Sequence, residues 1–325
     1  MSNLENQTIE LTRRRLAEIK DQLYHGEIYR NLGTELDGVI KRIKKQPKTA
    51  VELPNDDGVK ELLVTLNTAI QEDNLEGIDD DQLMLLVSHL GSKNPQIRDK
   101  GIYYFLNDAI QLHVITKEQL LMITNYLLQD EILFSHILER QNAAVFQRSF
   151  AILFLSVIAF IDRNGDSFLS TDIIQKMTNQ FELYMVLETD TRGYIGMQGW
   201  AHAFTHVGNL IEELASRDEL RRADKLFELG ILLSRFKSLE TPLIFGETNR
   251  ISAYLANITN KNKLYEDYVV TELKKWSRHF MLIREKESEG MWNQIYNQAR
   301  LFGNMRMRND FSTQITNLIN NAPEE

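Results

Sequence analysis

Nineteen residues, Glu188-Thr-Asp190-Thr-Arg192-Gly193-Tyr194-Ile-Gly196-Met-Gln-Gly199-Trp200-Ala-His202-Ala-Phe-Thr-His206, gather two carboxylates, an arginine, three glycines, a tryptophan and two histidines. His202 and His206 stand four apart, so in a helix they share a face, the spacing from which a metal site or an acid–base pair is built. At about 100° per residue, a helix starting near Trp200 lines up His202, His206, Asn209 and Glu213 in one polar stripe. Val207, Leu210, Ile211 and Leu214 fall on the adjoining face, which must be buried. In a catalytic reading His202 and His206 are metal ligands, zinc being the metal their chemistry suits, with Asn209, Glu213 or a distant Asp completing the shell. Asp190 and Arg192 then join them in a metal-assisted hydrolase. This is not the zinc-peptidase arrangement, because Ala203 occupies the place of its glutamate base. In a structural reading, which the residues favour, the histidines bond backbone or carboxylate groups and lock the preceding loop.

That loop has its own logic. Gly193, Gly196 and Gly199 admit backbone conformations closed to other residues and a close approach by a ligand or second helix. Arg192 suits a clamp with Asp190 or a bidentate grip on an anion. The glycine spacing matches neither a phosphate-binding loop nor a dinucleotide fingerprint. Arg148, Glu188, Tyr194, Trp200 and Asn209 complete the candidate binding residues. Arg148 opens the most apolar segment of the chain, so it requires a partner such as Asp162, Glu188 or Asp190. No nucleophile elbow surrounds Ser149. Asp162 to Ile173 imitates a calcium loop, yet Ser167 stands where glycine is needed and Ile173 where a bidentate glutamate is needed. An inter-helix turn with side-chain caps is expected there instead. His89, His113, His136 and His279 are isolated.

The elements that must position these groups are helices. Only 16 Gly and 5 Pro in 325 residues leave few turns for hairpins, and no run of alternating strands occurs. An N-terminal helical extension over 1–50, in one or two amphipathic helices, is expected to precede an α-helical repeat-like domain over 51–325, the boundary lying in the turn cluster around Pro54 and Gly58. Helices are expected at about 58–72, 81–90, 263–286, 289–302 and 309–320. Capping boxes are read at Thr116–Gln119 and Ser216–Glu219, and Pro242 in a first helical turn. Asn94-Pro95-Gln-Ile97-Arg98-Asp99 between two helices resembles the turn of a HEAT-type repeat, with an aliphatic–Arg pair opening the second helix. The expected fold is therefore all-α: an irregular α-solenoid or α/α superhelix with HEAT-like hairpins, with a compact helical bundle as the alternative.

A net charge of −9 weighs against nucleic acid as a partner. The absence of cysteine removes disulfides and thiolate chemistry. No secretory signal is visible, and the apolar run Phe150 to Ile161 falls short of the ~20 residues a bilayer requires. A cytoplasmic location without a membrane partner is the expectation.

Four segments taken in order, Asn94-Pro95-x-x-Arg98-Asp99, Phe146-x-Arg148-Ser149-Phe150, Glu188-x-Asp190-x-Arg192-Gly193-Tyr194 and Gly199-Trp200-Ala201-His202-Ala203-x-x-His206, resemble an uncharacterised bacterial family. It is the domain-of-unknown-function family numbered twenty-seven eighty-five, and the resemblance spans roughly residues 60 to 260. It implies a mostly helical bacterial cytoplasmic protein without an established activity, substrate or partner. The family pattern tends to carry Asp three residues after the second His, where this chain has Asn209. Two functions follow. One is a scaffold binding an unidentified protein or peptide along a groove; the other is a metal-assisted hydrolase using Asp190, Arg192, His202 and His206.

Overall fold

The computed structural model describes residues 3–282 and 288–321, with the side chains of 279–282, His279 among them, outside the description. Every regular element among the described residues is helical, and the β pairing consists of isolated bridges at Gln46–Glu139 and Tyr194–Trp200. The α-helices are α1 Asn3–Tyr24, α2 Leu32–Arg42, α3 Val59–Gln71, α4 Asp80–Ser88, α5 Pro95–Ile97, α6 Tyr104–Gln111, α7 Lys117–Leu127 and α8 Asp130–Leu133. They continue as α9 Val145–Asn164, α10 Thr171–Leu187, α11 Ala203–Ala215, α12 Arg222–Ser238, α13 Glu247–Lys261, α14 Lys263–Leu282, α15 Glu289–Arg306 and α16 Thr313–Asn320. Residues 283–287, the end of the expected 263–286 helix, lie outside the described residues.

The chain forms two compact units, one of Lys45–Gln180 with Arg192–His206, the other of Ser2–Lys44, Phe181–Thr191 and Val207–Glu325, each within its described residues. The first unit is built around α9, against which α7, α8 and the short 3-10 turn His89–Gly91 pack. This helix is longer than its apolar run because Val145–Ser149 and Asp162–Asn164 extend it to 20 residues. Its length and mean hydropathy of 1.7 would suffice to cross a membrane, but 72% of that window is buried inside the protein. It is buried as a core helix is.

In the second unit α12 takes the central place. Leu226 to Phe236 is buried without a break, so this helix has no solvent face, and α1, α2, α14 and α15 pack on it. The two N-terminal helices therefore pack on the same α12 that organises residues 207–325. Leu16, Ile19 and Leu23 of α1 and Leu32 and Leu36 of α2 are buried apolar side chains, each worth roughly 1.5–3 kcal/mol when fully removed from water.

Local signals set several helix starts. Asp79 caps α4 by accepting from the Asp81 and Gln82 N–H groups, and Thr116 with Gln119 forms the expected capping box of α7. Three expectations fail. The Ser216 hydroxyl bonds back to Glu212 O, and the next helix opens at Arg222, with the Asp224 carboxylate accepting from Arg221 N–H. A carboxylate at the third helical position thus reaches back to the backbone donor ahead of the helix, at Arg221 rather than at Ser216. Pro242 lies in the connection ahead of α13, which starts at Glu247 behind Gly246 at φ 95°. The last helix begins at Thr313 with Ser312 as its cap, later than the expected 309.

Candidate functional site

The Asn94-Pro95 turn builds the foundation of the site. Asn94 accepts from Gln96 N–H and so opens α5, Pro95 fills the first helical position, and a π-helical turn, Arg98–Tyr103, leads into α6. The wide turn starts at Arg98, whose guanidinium is fully buried. Burying such a charge is strongly unfavourable without complete pairing. Here it donates from Nε to Asp99 Oδ1 (2.6 Å), from Nη1 to Ser92 O (2.7 Å), and from Nη2 to Asp99 Oδ2 (3.1 Å), Gln198 O (2.9 Å) and Trp200 O (3.2 Å). The rings of Phe146 and Phe150 flank it at 4.2 and 4.8 Å, adding cation–π attraction in a desolvated setting.

Two of those acceptors belong to the glycine loop, so one side chain from 100 residues upstream ties the loop down. Around it the chain folds back on itself, with Ile195 N–H donating to Gly199 O (2.8 Å) and Ala201 N–H to Gly193 O (2.7 Å). A short 3-10 turn, Gly196–Gln198, forms the tip. Gly199 has φ 76°, and a Cβ there would meet Pro95 Cβ at 2.9 Å and Arg98 Nη2 at 3.2 Å. Close approach is thus what Gly199 provides. The tip points apolar side chains outward: Tyr194 is 51% exposed, Met197 96% and Trp200 40%.

The two histidines behind the loop differ. His206, in α11, is buried, and its Nδ1 donates to Ser149 O at 2.8 Å; a carbonyl only accepts, so the imidazole carries its proton on Nδ1. Burial pushes its pKa down to about 3 against the bond to Ser149 O, so the ring is neutral near pH 7. His202 precedes the helix rather than sitting in it: α11 begins at Ala203, and His202 adopts φ 52°, uncommon for a residue with a side chain. Its ring stacks on the Trp200 indole at 4.1 Å and 8°. Its Nδ1 is buried without a hydrogen-bond partner, and burial lowers its pKa. The His202 and His206 ring centroids are 6.2 Å apart at 59°, with His202 one residue ahead of the helix and the rest of the expected stripe, from His206 on, inside it. Phe150 meets His206 edge-on at 5.6 Å.

The other candidates are placed as follows. Arg192 Nη2 donates to Asn142 O (2.6 Å), while Arg148 Nη1 donates to Ser135 O (2.7 Å) and Asn142 Oδ1 (3.3 Å). Asn142 also orders its surroundings through Ala144 N–H and His136 O. Glu188 Oε1 accepts from the Thr189 and Asp190 N–H groups at the end of α10, and Glu188 and Asp190 are both buried in the second unit. Asn209 accepts from Arg250 Nε at 2.7 Å. Ser149 is fully buried, with its hydroxyl on Phe146 O. The calcium-like loop is an inter-helix turn closed by one side chain: Asp162 Oδ1 accepts from the Phe168 and Leu169 N–H groups at 2.6 and 2.7 Å. Among the described residues, no three His, Cys, Asp or Glu side chains are grouped to hold a metal ion.

Sequence reasoning missed a second constellation, in the other unit. Lys20 of α1, buried, bonds Glu182 Oε1 at 2.7 Å and Asp224 Oδ1 at 3.1 Å, and Tyr24 donates to Asp224. Glu228, one turn beyond Asp224, is fully buried with both oxygens unpartnered. Burial, reinforced by the Glu182 charge, raises its pKa well above the usual carboxylate range. Burial raises Glu182 to about 7 against the attraction of Lys20. In the sequence, Glu228 reads as one acid of an amphipathic helix, and only the enclosure of α12 on all sides buries it. Arg98, by contrast, stood in the Asn-Pro-x-x-Arg turn, a signal of position though not of contacts.

These features define an all-helical protein whose buried arginine anchors an apolar loop. The chain belongs to the family described as "Protein of unknown function (DUF2785)", whose model matches residues 133–307. That span contains the glycine loop and both histidines, but starts after Arg98 and ends beyond residue 260. No curated protein and no solved structure matches the chain.

Proposed function

We propose that this bacterial, cytoplasmic protein is a helical scaffold, an irregular α-solenoid of HEAT-like hairpins, that binds a protein or peptide through the Gly193–His202 loop. The observation carrying this reading is the pairing of an apolar tip with a locked base. Tyr194, Met197 and Trp200 stay in solvent, while Arg98 holds the carbonyls of Gln198 and Trp200 from beneath. A loop ordered before contact avoids much of the entropy cost of binding, and aromatic and methionine side chains are enriched at contact surfaces. The arrangement resembles a preformed hot spot more than a reaction centre.

The test is selection of displayed random peptides on the immobilised protein, followed by affinity measurement on Trp200→Ala. Enriched peptides sharing a motif, with affinity falling at least about tenfold in the variant at unchanged circular dichroism, are expected. Absence of enrichment, or peptides indifferent to Trp200, would overturn the reading.

A second reading, the metal-assisted hydrolase of Asp190, Arg192, His202 and His206, draws support from one observation. His202 keeps an unpartnered Nδ1 on an imidazole whose lowered pKa leaves it a neutral base near pH 7. Against it stands the bond of His206 Nδ1 to Ser149 O. Elemental analysis showing stoichiometric zinc, lost in His202→Ala and His206→Ala, would favour it over the scaffold.

A further inference from the structure

The chemistry of the partner can be read from two observations on the same unit, resting on the scaffold reading above. The first is the form of the loop surface. Tyr194 and Trp200 meet edge to face, with centroids 4.9 Å apart at 71°, and the His202 ring stacks on the Trp200 indole at 4.1 Å. Trp200 nevertheless remains 40% exposed and Tyr194 51%. The His202 ring covers one face of the indole, and an aromatic face that stays open to solvent attracts a cationic side chain laid against it.

The second is charge. Lys45–Gln180 and Arg192–His206 hold 12 Lys and Arg against 19 Asp and Glu, so this unit carries −7 of the chain's −9. Several of its cations are committed: Arg98 is enclosed by Asp99 and backbone carbonyls, and Arg192 donates to Asn142 O. One carboxylate reaches the base of the loop, Asp99 Oδ2 lying 3.3 Å from where a Cβ at Gly199 would stand. Ser92, whose carbonyl accepts from Arg98, donates its hydroxyl to Asp56 Oδ2 at 3.0 Å, and Asp57 adjoins it in sequence. A surface of this sign steers positive partners toward it and repels negative ones.

We infer that the Tyr194–Trp200 surface docks a basic peptide segment, an arginine or lysine side chain lying on the exposed aromatic rings while the acidic unit attracts its neighbours. An acidic segment is disfavoured by the field, and a purely apolar one would leave the charge without a role.

Three synthetic peptides of equal length, with Gly/Ser spacers and bearing arginine, glutamate or leucine, test this by fluorescence anisotropy on the full chain. The arginine peptide should bind tightest, and its affinity should fall as salt rises. Trp200→Ala leaves the net charge at −9 and should weaken it at least about tenfold, whereas Trp200→Phe retains a ring and should restore most of the affinity. Tyr194→Ala repeats the measurement should Trp200→Ala lose its fold. Tighter binding of the glutamate or leucine peptide overturns the inference. So does equal binding of the arginine peptide to wild type and Trp200→Ala, because adhesion to a negative protein needs no ring. If displayed peptides bind through Trp200 but are not basic, this inference fails and the scaffold stands; if none binds through Trp200, both fail.

Discussion

Two buried clusters of charge, one in each unit, solve the same problem differently. Around Arg98 every polar contact is complementary: one carboxylate, three carbonyls and two aromatic faces receive a single cation. Around Lys20 the balance is uneven, with Glu182, Asp224 and Glu228 against one ammonium and both Glu228 oxygens unpartnered. The first cluster uses its bonds to hold a surface loop in one shape. The second is held together in part by a proton, since a buried carboxylate without a partner is far costlier than a neutral carboxyl. Complete pairing makes a position; incomplete pairing makes a titration.

The contrast can be broken most forcefully at the cations. Arg98→Met strands Asp99 and the Ser92, Gln198 and Trp200 carbonyls, while Lys20→Met strands Glu182 and Asp224. Each should cost about 3–5 kcal/mol in denaturant unfolding. The Arg98 variant should in addition speed hydrogen exchange across 198–201, an effect that Lys20→Met should lack. Equal exchange in the two would mean that Arg98 does not hold the loop.

The two regions should also respond to pH with opposite signs. His206 has a folded pKa of about 3, below its ordinary 6.5, so its contribution is full above pH 6.5 and declines as pH falls toward 3. The loss is at most roughly 1.4 kcal/mol per pH unit in that window, and His206→Gln should flatten it in melting curves. Glu182 and Glu228 have folded pKa values raised above 4.5, to about 7 for Glu182. Their contribution is full below pH 4.5 and is lost as pH rises through the folded values. Glu228→Gln should therefore remove part of the decline that sets in as pH rises above 4.5, and an unchanged slope would show that Glu228 is already ionised.

Gly199→Ala should cost about 1–3 kcal/mol, because it puts a Cβ at 2.9 Å from Pro95 on a backbone with φ 76°. The smallest effect sharpens the comparison from the other side. Met197→Gln, at the fully outward tip, should change stability by no more than about 0.5 kcal/mol while weakening any partner that contacts the loop. A large loss of stability there would mean that the tip is packed.

Much of the fold was legible because helices are specified locally. The spacing of Leu16, Ile19 and Leu23, the Asp79 cap and the Thr116–Gln119 box all act within a few residues, and each placed its element correctly. The buried face of Val207, Leu210, Ile211 and Leu214 was likewise written in the 3.6-residue period. The candidate site was legible only as a location. His202 and His206 stand in the predicted segment, but the left-handed backbone at His202, its stacking on Trp200 and the bond from His206 to Ser149 come from chain brought in from elsewhere. Arg98 lies 100 residues from the loop it anchors, and periodicity carries no information over that span.

For the Glu188–His206 stretch, then, residue order alone determined where small, aromatic and imidazole groups would concentrate, since composition and glycine spacing are properties of the chain. Tertiary structure decided what they became. It enclosed His206, turned Tyr194, Met197 and Trp200 outward, and put Glu188 and Asp190 in a different unit from the histidines. Burial among distant segments set the neutral state of the two histidines, and it does not exist until the chain has folded.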